Sequence, residues 1–581
     1  MSAITSIAPP SGDCVQAQLD VALERLSEQR QSWANLPVGA RIDLLKSIRN
    51  NLARRAADWV AISARDKGLD NASPLLGEEW SSGPWALLTG IDTLQHTLSG
   101  LEGRRHLDGL RIRTTVSGQV AVRVFPMSVT DRLLLSGVEA EVWMEPDISA
   151  TQFKAHAAGA YSESAEPRRG SLALVLGAGN ITSIAPLDAL HKLYSEHSVV
   201  LLKLNPVTAS LLPVFADIFA PLIEKGFLEI VNGDAEVGAY LTTHPTVESI
   251  HITGSAASHD AIVFGPGEEG ATRKARGTPL NNRPITSELG AVCPTIVVPG
   301  EWTAADLRFQ AQHVATQKLH NSGFNCVASQ VLVLPKQWVL RERFLEELHQ
   351  ALVTAPPRPL YYPGSHDRLA SFKRGAPTTL TLKSPPDAPR LLAFRDPDSD
   401  AQVFRNEVFG PALCVVEIDG ETPGSYLQHA IDFANHRLHG TLGANIIIDP
   451  ETEKALKLDF ELMLSTLKYG TVGVNAWTGL AFLLAQVPWG AFPGHTLDDI
   501  QSGRGFVHNC LLLDRPQRSI VRAPFRPFPR GLLHGDLAFL PRPPWFVNNR
   551  SGTETARRLV EFQLNPSLLR LLRIFTSALS G

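Results

Sequence analysis

Between about residues 171 and 256, short apolar runs alternate with longer amphipathic segments, and this alternation constrains the fold more than any other feature of the sequence. The runs LALVL, SVVLLKL, FLEIV and VESIHITGS resemble strands in length and composition, whereas APLDALHKLY and LLPVFADIFAPLIEKG resemble helices. Strands that alternate with helices at this spacing predict a parallel sheet covered by helices. We therefore expect an α/β fold.

A second α/β region follows from about residue 287 to residue 480, with the apolar runs TIVV, QVLVL, LCVVEI and GANIII. The chain has 581 residues, which is too many for one simple core, so at least two domains are expected. Residues 15–68 have helical periodicity, whereas residues 107–165 are strand-like and irregular.

Charge, cysteine content and hydropathy exclude several classes of protein. The net charge of -4 argues against a general polyanion binder, so no nucleic acid partner is expected. The five cysteines are scattered and form no C-x-x-C pair, so neither a zinc site nor a disulfide framework is predicted, and a reducing cytoplasm fits best. We identify no uninterrupted apolar run long enough for a membrane span and no secretory signal pattern at the N-terminus.

The C-terminal segment, residues 515–581, has a composition of its own. It contains eleven arginines, no lysine and three acidic residues, and proline is dense in RAPFRPFPR and PRPPWF. At 100° per residue, the stretch 566–579 has an apolar arc of Leu568, Leu571, Leu572, Phe575 and Leu579, which Ile574 and Ala578 extend; Arg570, Arg573 and Ser577 fall opposite. A helix of this kind must cover its apolar arc. It either docks on its own chain or a neighbouring subunit, or it lies on an anionic membrane.

The first apolar run ends in the turn Gly177-Ala178-Gly179-Asn180, which has two interpretations. A dinucleotide-binding fingerprint would need a glycine where Thr182 stands and an acidic residue where the next strand ends at Lys203. Two glycines alone are a weak signal. The turn either contacts a pyrophosphate or is a tight turn that presents Asn180.

Three further residues, one cysteine and two glutamates, are candidates for a functional site. Cys326, in HNSGFNCVAS, lies at a loop that enters a strand, where backbone amides could lower a thiol pKa, although a lone cysteine is usually an inert core residue. Glu288, in PITSELG, is of interest only as a base near that cysteine. Glu407, in FRNEVFGP, stands between an apolar turn and a strand, where a charged residue usually has a partner.

Several motifs, taken together and in order, resemble the aldehyde dehydrogenase superfamily over roughly residues 20–512. These motifs are GAGN, the strand end at Lys203, VNGDAEVGAYL with HPTVESIHITGS, SELG, GFNC, NEVFGP, NHRLHGTLGANI and PWGAFPGHTLDDIQSGRG. The resemblance implies an α/β fold with a Rossmann-type cofactor domain, an α/β catalytic domain and a β multimerisation arm. The implied boundaries are 1–128 with 166–286 for the cofactor domain, 287–484 for the catalytic domain, 129–165 with 485–514 for the arm, and 515–581 for the basic C-terminal extension.

The resemblance also assigns roles to single residues. Cys326 would attack an aldehyde to give a thiohemiacetal and then a thioester, Asn180 would stabilise the oxyanion with the Cys326 N–H, and Glu288 would activate water. NAD or NADP would be held by a set that spans both domains: Lys203, Asn205, Gly233, Gly254, Ser255, Leu289, Glu407 and Phe409. No metal is implied.

Four departures from the family pattern qualify this assignment. Pro206 stands where NAD-preferring members often carry a ribose-binding glutamate, so NADP would be tolerated or preferred. The long segment between Ser255 and Glu288 carries RKAR, which either favours a phosphate or is a solvated loop. Phe324 replaces the family's glutamine, and residues 107–165 match poorly, so the arm is uncertain.

The expected function is hydrolytic, NAD(P)-dependent oxidation of an aldehyde by a cytoplasmic homodimer or homotetramer. A CoA-linked acylating enzyme and a non-catalytic member of the fold are the alternatives, and the presence of Glu288 favours the hydrolytic enzyme. Trp477, Leu480, Phe482 and Leu483 either line the approach to Cys326, which would favour a long-chain or aromatic aldehyde, or belong to the core. The C-terminal helix adds a possible peripheral membrane contact.

Overall fold

The computed structural model describes residues 12–162, 168–535 and 537–581, which form two large sheets, a short strand pair and the helices that cover them. Parts of three predicted segments lie outside the described residues. They are residues 1–11 and 166–167 of the cofactor domain, 163–165 of the arm, and Asp536 of the basic extension.

The strands of the described chain are, in order, β1 Arg111–Thr114, β2 Val120–Phe125, β3 Glu139–Met144, β4 Ser171–Leu176, β5 Ser198–Lys203, β6 Leu228–Val231, β7 Ser249–Gly254, β8 Ile285–Leu289, β9 Cys293–Val297, β10 Ser329–Pro335, β11 Leu380–Thr381, β12 Leu391–Phe394, β13 Ala412–Ile418, β14 Gly443–Ile447, β15 Thr471–Val474, β16 Trp489–Gly490, β17 Gly503–Arg504, β18 Phe506–Val507 and β19 Pro516–Arg522.

The α-helices of the described chain are, in order, α1 Gly12–Ala34, α2 Val38–Asp66, α3 Leu76–Trp80, α4 Ala86–Ser99, α5 Val129–Leu134, α6 Ile184–Glu196, α7 Leu212–Ile223, α8 Ala235–Thr243, α9 Ala256–Phe264, α10 Gly267–Ala275, α11 Ala304–Leu319, α12 Arg341–Thr354, α13 Ser365–Gly375, α14 Pro423–Arg437, α15 Pro450–Leu456, α16 Leu458–Thr466, α17 Thr478–Leu483, α18 Gly552–Leu564 and α19 Leu568–Ala578.

The smaller sheet has six strands in the order β17-β8-β7-β4-β5-β6, and all neighbours except β17 and β8 are parallel. Strand β5 is buried along its whole length, and β4 is buried except at its two ends, which explains their uninterrupted apolar sequences. This confirms the α/β class and the parallel sheet predicted for residues 171–256. The carboxyl ends of β4, β5, β7 and β8 meet along one edge, where ligands of open α/β sheets bind.

The larger sheet has eleven strands in the order β1-β2-β3-β19-β15-β14-β9-β10-β13-β12-β11. Its centre is parallel, from β19 to β12, and the antiparallel hairpins β1–β2–β3 lie beyond β19. The second predicted α/β region therefore forms this sheet together with residues outside 287–480.

The sheet order does not follow the predicted domain boundaries. Strand β19 comes from the basic extension, yet it pairs in parallel with β15 and antiparallel with β3, so the extension completes the large sheet. The two segments expected to form an arm are divided as well, because β3 extends the large sheet while β17 pairs with β8 in the small one. Without these partners, β19 would expose unpaired backbone N–H and C=O groups along both of its edges. Both partner strands, β15 and β3, come from the same chain.

One helical stretch, Pro206–Ile223, is long and apolar enough to cross a membrane by length and composition. The sequence scan for an uninterrupted apolar run did not identify it. In the structure its residues Val214, Phe215, Ile218 and Phe219 are buried in the core of the small sheet's domain. It is a core helix in this fold.

The C-terminal helices dock on their own chain, which is the first of the two predicted arrangements. Helix α18 packs against α3 and α4, and α19 packs against α18. However, α19 buries Ile574, Ser577 and Ala578, whereas Leu568 and Leu572 are 72% and 53% exposed. The buried face therefore lies at the edge of the expected apolar arc that Ile574 and Ala578 extend, and it includes Ser577 from the face expected to lie opposite. A hydroxyl contact of 2.8 Å between Thr555 and Ser577 joins α19 to α18, and membrane contact gains no support.

Candidate active site

The structure brings Asn180, Glu288 and Cys326 together from three different elements. Asn180 lies in the turn after β4, Glu288 is on β8 next to its end, and Cys326 lies in the loop that enters β10. The Asn180 Nδ2 donates a hydrogen bond of 2.9 Å to the carbonyl of Phe324, two residues before the cysteine. The turn thus presents Asn180 to the cysteine loop, as the second interpretation of the GAGN sequence predicts.

A small, mostly apolar cavity with a volume of about 40 Å³ opens onto Cys326. Its walls include the four residues considered from the sequence, Trp477, Leu480, Phe482 and Leu483, together with Ile181, Ile184, Trp489 and Trp545. These side chains therefore line the approach to the cysteine, and one of them, Trp545, belongs to the basic C-terminal extension. The indole Nε1 of Trp477 donates 3.1 Å to the carbonyl of Val327, which fixes that wall beside the cysteine loop.

Burial controls the protonation of this pair. Burial raises the pKa of Glu288 to about 7, the carboxylate of Asp188 adds to the rise, and the Cys326 thiol and His508 oppose it. Burial also raises the pKa of the Cys326 thiol well above its usual value, and the carboxyls of Glu288 and Glu407 raise it further. The resting pair is therefore a neutral thiol beside a carboxyl group that exchanges its proton near neutral pH, which suits a general base.

The loop before Cys326 has an unusual backbone conformation. Asn321 and Ser322 have φ of 52° and 55°, in the left-handed region that few non-glycine residues adopt. The Asn321 Nδ2 donates to the carbonyls of Asn180 at 3.1 Å and Phe324 at 3.0 Å, so one side chain ties both halves of the site together. The sequence analysis missed Asn321, although the polar run HNSG before the cysteine was a signal.

A buried ion cluster holds Asn321 in place. Its backbone N–H donates 2.9 Å to Glu78, which is paired with Arg358. Lys67 lies 3.0 Å from Glu79 and also donates 3.2 Å to the Asn321 side chain. All four charged side chains are at most 6% exposed. Charges buried this deeply need mutual pairing, so the cluster fixes α2 and α3 to the cysteine loop.

The edge of the small sheet has the features of a nucleotide cleft. Lys203 ends β5, and burial lowers its pKa while Asp234 across the cleft opposes the change. Asn205 accepts a hydrogen bond of 3.0 Å from the Val207 N–H, and a Cβ on Gly179 would lie 2.6 Å from its Oδ1. The second glycine of the GAGN turn is therefore needed for close contact with Asn205.

Other residues expected at the cofactor lie along the same edge. Ser255 caps α9 by accepting 3.1 Å from the Ser258 N–H, and both it and Gly254 are exposed at the helix N-terminus, a position that favours anions. A Cβ on Gly233 would lie 2.5 Å from that of Val237. The backbone N–H of Leu289 is already paired with Ser502 at 2.9 Å, so it is not free for a cofactor.

Glu407 packs against Gly290, where an added Cβ would overlap the Glu407 carboxylate. Burial raises its pKa to about 8, and Lys318 and Arg368 oppose the rise. One oxygen, Oε1, is buried without a hydrogen-bond partner among the described residues. An unpaired buried carboxylate oxygen is costly, and a sugar hydroxyl would satisfy it.

Aromatic packing surrounds the cysteine loop. The ring of Phe324 contacts Tyr361, Tyr362 and Phe409 at centroid distances of 5.0 to 5.7 Å. Phe409 has a positive φ of 40°. The replacement of the family's glutamine by Phe324 is therefore accommodated by local packing, as expected.

The segment rich in arginine after Ser255 is not a solvated loop. Residues 267–275 form α10, Lys274 pairs with Asp260 at 2.7 Å, and Arg273 pairs with Glu269. These two cations already have acidic partners, so they offer little to a phosphate. Among the described residues no group of three or more His, Cys, Asp or Glu side chains could hold a metal ion, and the side chains of Cys293, Cys326, Cys414 and Cys510 are free thiols.

Part of the chain is similar in sequence to a known enzyme family. Residues 197–358 match the sequence model of the aldehyde dehydrogenase family. A peroxisomal aminoaldehyde dehydrogenase of Pisum sativum is 27% identical over 290 residues, which cover 46% of this chain and 51% of the relative. The chain thus spans about half the length of the curated relatives it matches.

Solved structures show the same fold over most of the chain. A glyceraldehyde-3-phosphate dehydrogenase from Methanocaldococcus jannaschii, complexed with NADP, superposes with a TM-score of 0.58 at 15% identity, covering 90% of this chain and 97% of the other. An indole-3-acetaldehyde dehydrogenase complexed with NAD+ gives 0.55 at 17%, covering 87% and 88%. The resemblance to aldehyde dehydrogenases and the expected fold class are therefore confirmed.

Proposed function

We propose that this protein oxidises an apolar aldehyde to the carboxylic acid with NAD+ or NADP+ as the acceptor. The observation that carries the proposal is the meeting of three groups: Cys326 lines the apolar cavity, the Glu288 carboxyl lies beside the Cys326 thiol, and the Asn180 amide contacts the cysteine loop. The cavity admits an aldehyde, the thiol supplies a nucleophile, the amide supplies a donor for an oxyanion, and the carboxyl group supplies a base.

Three observations of the structure support binding of the cofactor in the cleft. The unpaired Oε1 of Glu407 would accept from a ribose hydroxyl, the exposed N-terminus of α9 at Ser255 would hold the pyrophosphate, and Lys203 would meet the adenosine ribose or its phosphate. When bound, the nicotinamide ring supplies a hydride acceptor. Pro206 leaves no carboxylate to repel a 2′-phosphate, so NADP+ is acceptable.

Acylation uses the side chains of Cys326, Glu288 and Asn180. The Cys326 thiol gives its proton to Glu288 as sulfur adds to the aldehyde carbon, and the carbonyl oxygen becomes an oxyanion. The free N–H of the Asn180 amide and the Cys326 N–H are the nearest donors for this oxygen. In comparable sites, removal of one such donor raises the activation free energy by about 2.7–4 kcal/mol. Loss of hydride from the carbon re-forms the carbonyl and leaves a thioester on Cys326.

Deacylation needs Glu288 again. After the proton received from Cys326 has left for solvent, the Glu288 carboxylate takes a proton from water and the resulting hydroxide adds to the thioester. Cleavage of the C–S bond releases the acid with Cys326 as the thiolate, which regains a proton from Glu288. A pKa of about 7 lets Glu288 act in both steps at neutral pH.

The walls of the cavity support an apolar substrate. Beyond Trp545 the cavity at Cys326 borders two further apolar cavities, both lined in part by Leu480, Leu540 and Trp545. Residues of the C-terminal segment therefore form the outer part of the approach. Such walls favour a long-chain or aromatic aldehyde over a charged one.

The test uses the full chain with aldehydes of graded chain length and either cofactor, without CoA. We expect a pre-steady-state burst of reduced cofactor, then turnover. C326A should lose both. C293A is the matched control, because Cys293 is a buried neighbour whose Sγ donates only to the Cys326 carbonyl, and it should keep both. Turnover that requires CoA would favour the acylating alternative, and an active C326A would refute the proposal. The proposed homodimer or homotetramer is tested by sedimentation velocity.

A further inference from the structure

A closed ring of hydrogen bonds joins the Asn180 turn to the cysteine loop, and the mechanism above does not use it. The Asn180 Nδ2 donates 2.9 Å to the Phe324 carbonyl, and the Asn321 Nδ2 donates 3.0 Å to the same carbonyl. The Asn321 Nδ2 also donates 3.1 Å to the backbone carbonyl of Asn180. Asn180 is therefore held at both its side chain and its backbone by groups of the cysteine loop.

The orientation of the Asn321 amide follows from its other partners. The ammonium group of Lys67 donates 3.2 Å to the Oδ1, and an ammonium group can only donate. The Tyr361 hydroxyl lies 3.0 Å from the same oxygen. The other end of the amide is therefore the NH2 group, as the two carbonyls that face it require. Asn321 is 1% exposed, so these protein groups, rather than solvent, hold it in place.

Tyr361, between α12 and α13, is the second support of the Asn180 turn. Its hydroxyl lies 3.3 Å from the Asn180 carbonyl as well as 3.0 Å from the Asn321 Oδ1. Burial raises the pKa of Tyr361 well above its usual value, so the hydroxyl keeps its one proton for these two acceptors. The ring packs edge-on against Phe324 at 5.0 Å, so the same residue contacts both the turn and the cysteine loop.

The segment that carries Tyr361 is itself fixed to the cysteine loop. The Ser322 hydroxyl donates 3.4 Å to the carbonyl of Arg358, and the Arg358 side chain is paired with Glu78. Both charged side chains are buried, so separation of the pair would be costly. Tyr361 therefore stands three residues from a buried ion pair, which restricts its movement relative to Asn180.

The position of Asn180 matters because its amide has two N–H bonds. One is used by the Phe324 carbonyl. The other is left for the oxyanion that forms when Cys326 adds to an aldehyde. Such a donor must meet the oxygen of the tetrahedral species, and a misplacement of about 1 Å can cost about a hundredfold in rate. An asparagine side chain on a turn has several rotamers, and the ring of hydrogen bonds selects one before the substrate binds.

We propose that Asn321 and Tyr361 are positioning residues for the oxyanion donor Asn180. They hold its amide in place while the Cys326 sulfur forms a bond to the carbonyl carbon. In that step the π electron pair of the carbonyl moves to oxygen, the thiol proton passes to Glu288, and nothing is oxidised or reduced. Both residues act through Asn180 and exchange no proton with the reacting atoms. The inference rests on the proposed function and adds two residues to it.

The test compares N321G and Y361F with the parent in the pre-steady-state burst of reduced cofactor. Residue 321 has a φ of 52°, which glycine adopts without strain, and phenylalanine keeps the ring of Tyr361. The burst rate constant should fall about a hundredfold in N321G and about tenfold in Y361F, with the KM for the cofactor unchanged. Y362F is the matched control, because Tyr362 contacts the same Phe324 ring at 5.6 Å but its hydroxyl bonds neither Asn180 nor Asn321 in the described part of the chain. Its burst should match the parent's.

A second pair of reactions separates positioning from general damage to the loop. A trifluoromethyl ketone with an apolar chain adds to Cys326 and forms an oxyanion, whereas iodoacetamide alkylates the same thiol without one. Protection of the Cys326 peptide against iodoacetamide, followed by mass spectrometry, gives the dissociation constant of the ketone. This constant should rise in N321G and Y361F, while the rate of alkylation without the ketone stays at the parental value.

A double-mutant cycle with N180A decides whether the two residues act through Asn180. N180A should weaken the ketone by itself, and N321G should cause no further loss in that background. Additive losses, an equal fall in alkylation and burst rates, or an unchanged burst in both variants would overturn the inference. Y361F covers the case in which a thermal melt shows that N321G does not fold. A parent protein that gives no burst with any aldehyde refutes the proposed function, whereas a parental burst with additive losses refutes the positioning role alone.

Discussion

Replacement of Glu288 by glutamine should stabilise the folded protein at alkaline pH while it stops turnover. Glu288 is 1% exposed, and its pKa is raised by burial to about 7, against 4.5 for a free glutamate. Below pH 4.5 the carboxyl is protonated in both the folded and unfolded states, so its ionisation costs nothing. Between these two values the folded state keeps a proton that the unfolded state has lost, so stability falls as pH rises.

The magnitude follows from the same two values. A folded-state pKa of about 7 against 4.5 corresponds to about 3 kcal/mol of lost stability above pH 8. The E288Q variant has no carboxyl to ionise and keeps nearly the same volume. Its free energy of unfolding should therefore match the parent's near pH 4.5 and exceed it by about 3 kcal/mol at pH 9.

The assay is urea unfolding of parent and variant at both pH values, monitored by tryptophan fluorescence. S287A is the matched control, because it changes the neighbouring residue of β8 and removes no titratable group, so its difference from the parent should be the same at both pH values. If the E288Q difference is also independent of pH, then Glu288 carries no ionisation cost and the reasoning is wrong.

Three further predictions test other parts of the structure. E78Q should cost about 3–5 kcal/mol of unfolding free energy, because it removes the shorter of the two ion pairs of the buried Arg358 and leaves only the 3.6 Å contact with Glu79. E78Q should also slow thiol labelling of Cys326, and an unchanged labelling rate would show that the cluster does not shape that loop. P206E should weaken the binding of NADP+ more than that of NAD+ in fluorescence titrations, since it would place a carboxylate beside the ribose. An equal loss of affinity for both cofactors would show that residue 206 does not determine the cofactor preference. W545A should increase kcat/KM for long aldehydes relative to short ones, and an unchanged profile would show that the tail does not line the substrate path.

Much of the fold followed from local pattern. The buried strands β4 and β5 are recognisable because both their faces are apolar, and the turn residues after them stand at strand ends that a parallel sheet must bring to one edge. For this reason Asn180, Lys203 and Ser255 could be placed along the cleft before any coordinates were known. The roles assigned to them from family resemblance remain proposals.

The remaining features depend on contacts between distant parts of the chain. By its sequence, strand β19 belongs to the basic C-terminal extension. Only its pairing with β15 and β3 shows that it lies inside the large sheet. The periodicity of α19 showed an apolar arc but not which edge of it is buried, because that depends on the surface of α18.

The sequence by itself determined the α/β class and the order of the chemical groups along the chain, since hydrophobic periodicity and motif spacing are local properties. Tertiary structure decided which groups act together. Glu78 reaches Asn321 across 243 residues and Tyr361 reaches Asn180 across 181, and no local pattern encodes such a meeting. The burial that raises the pKa of Glu288 is likewise a property of the packed molecule, because desolvation depends on every element that covers the site.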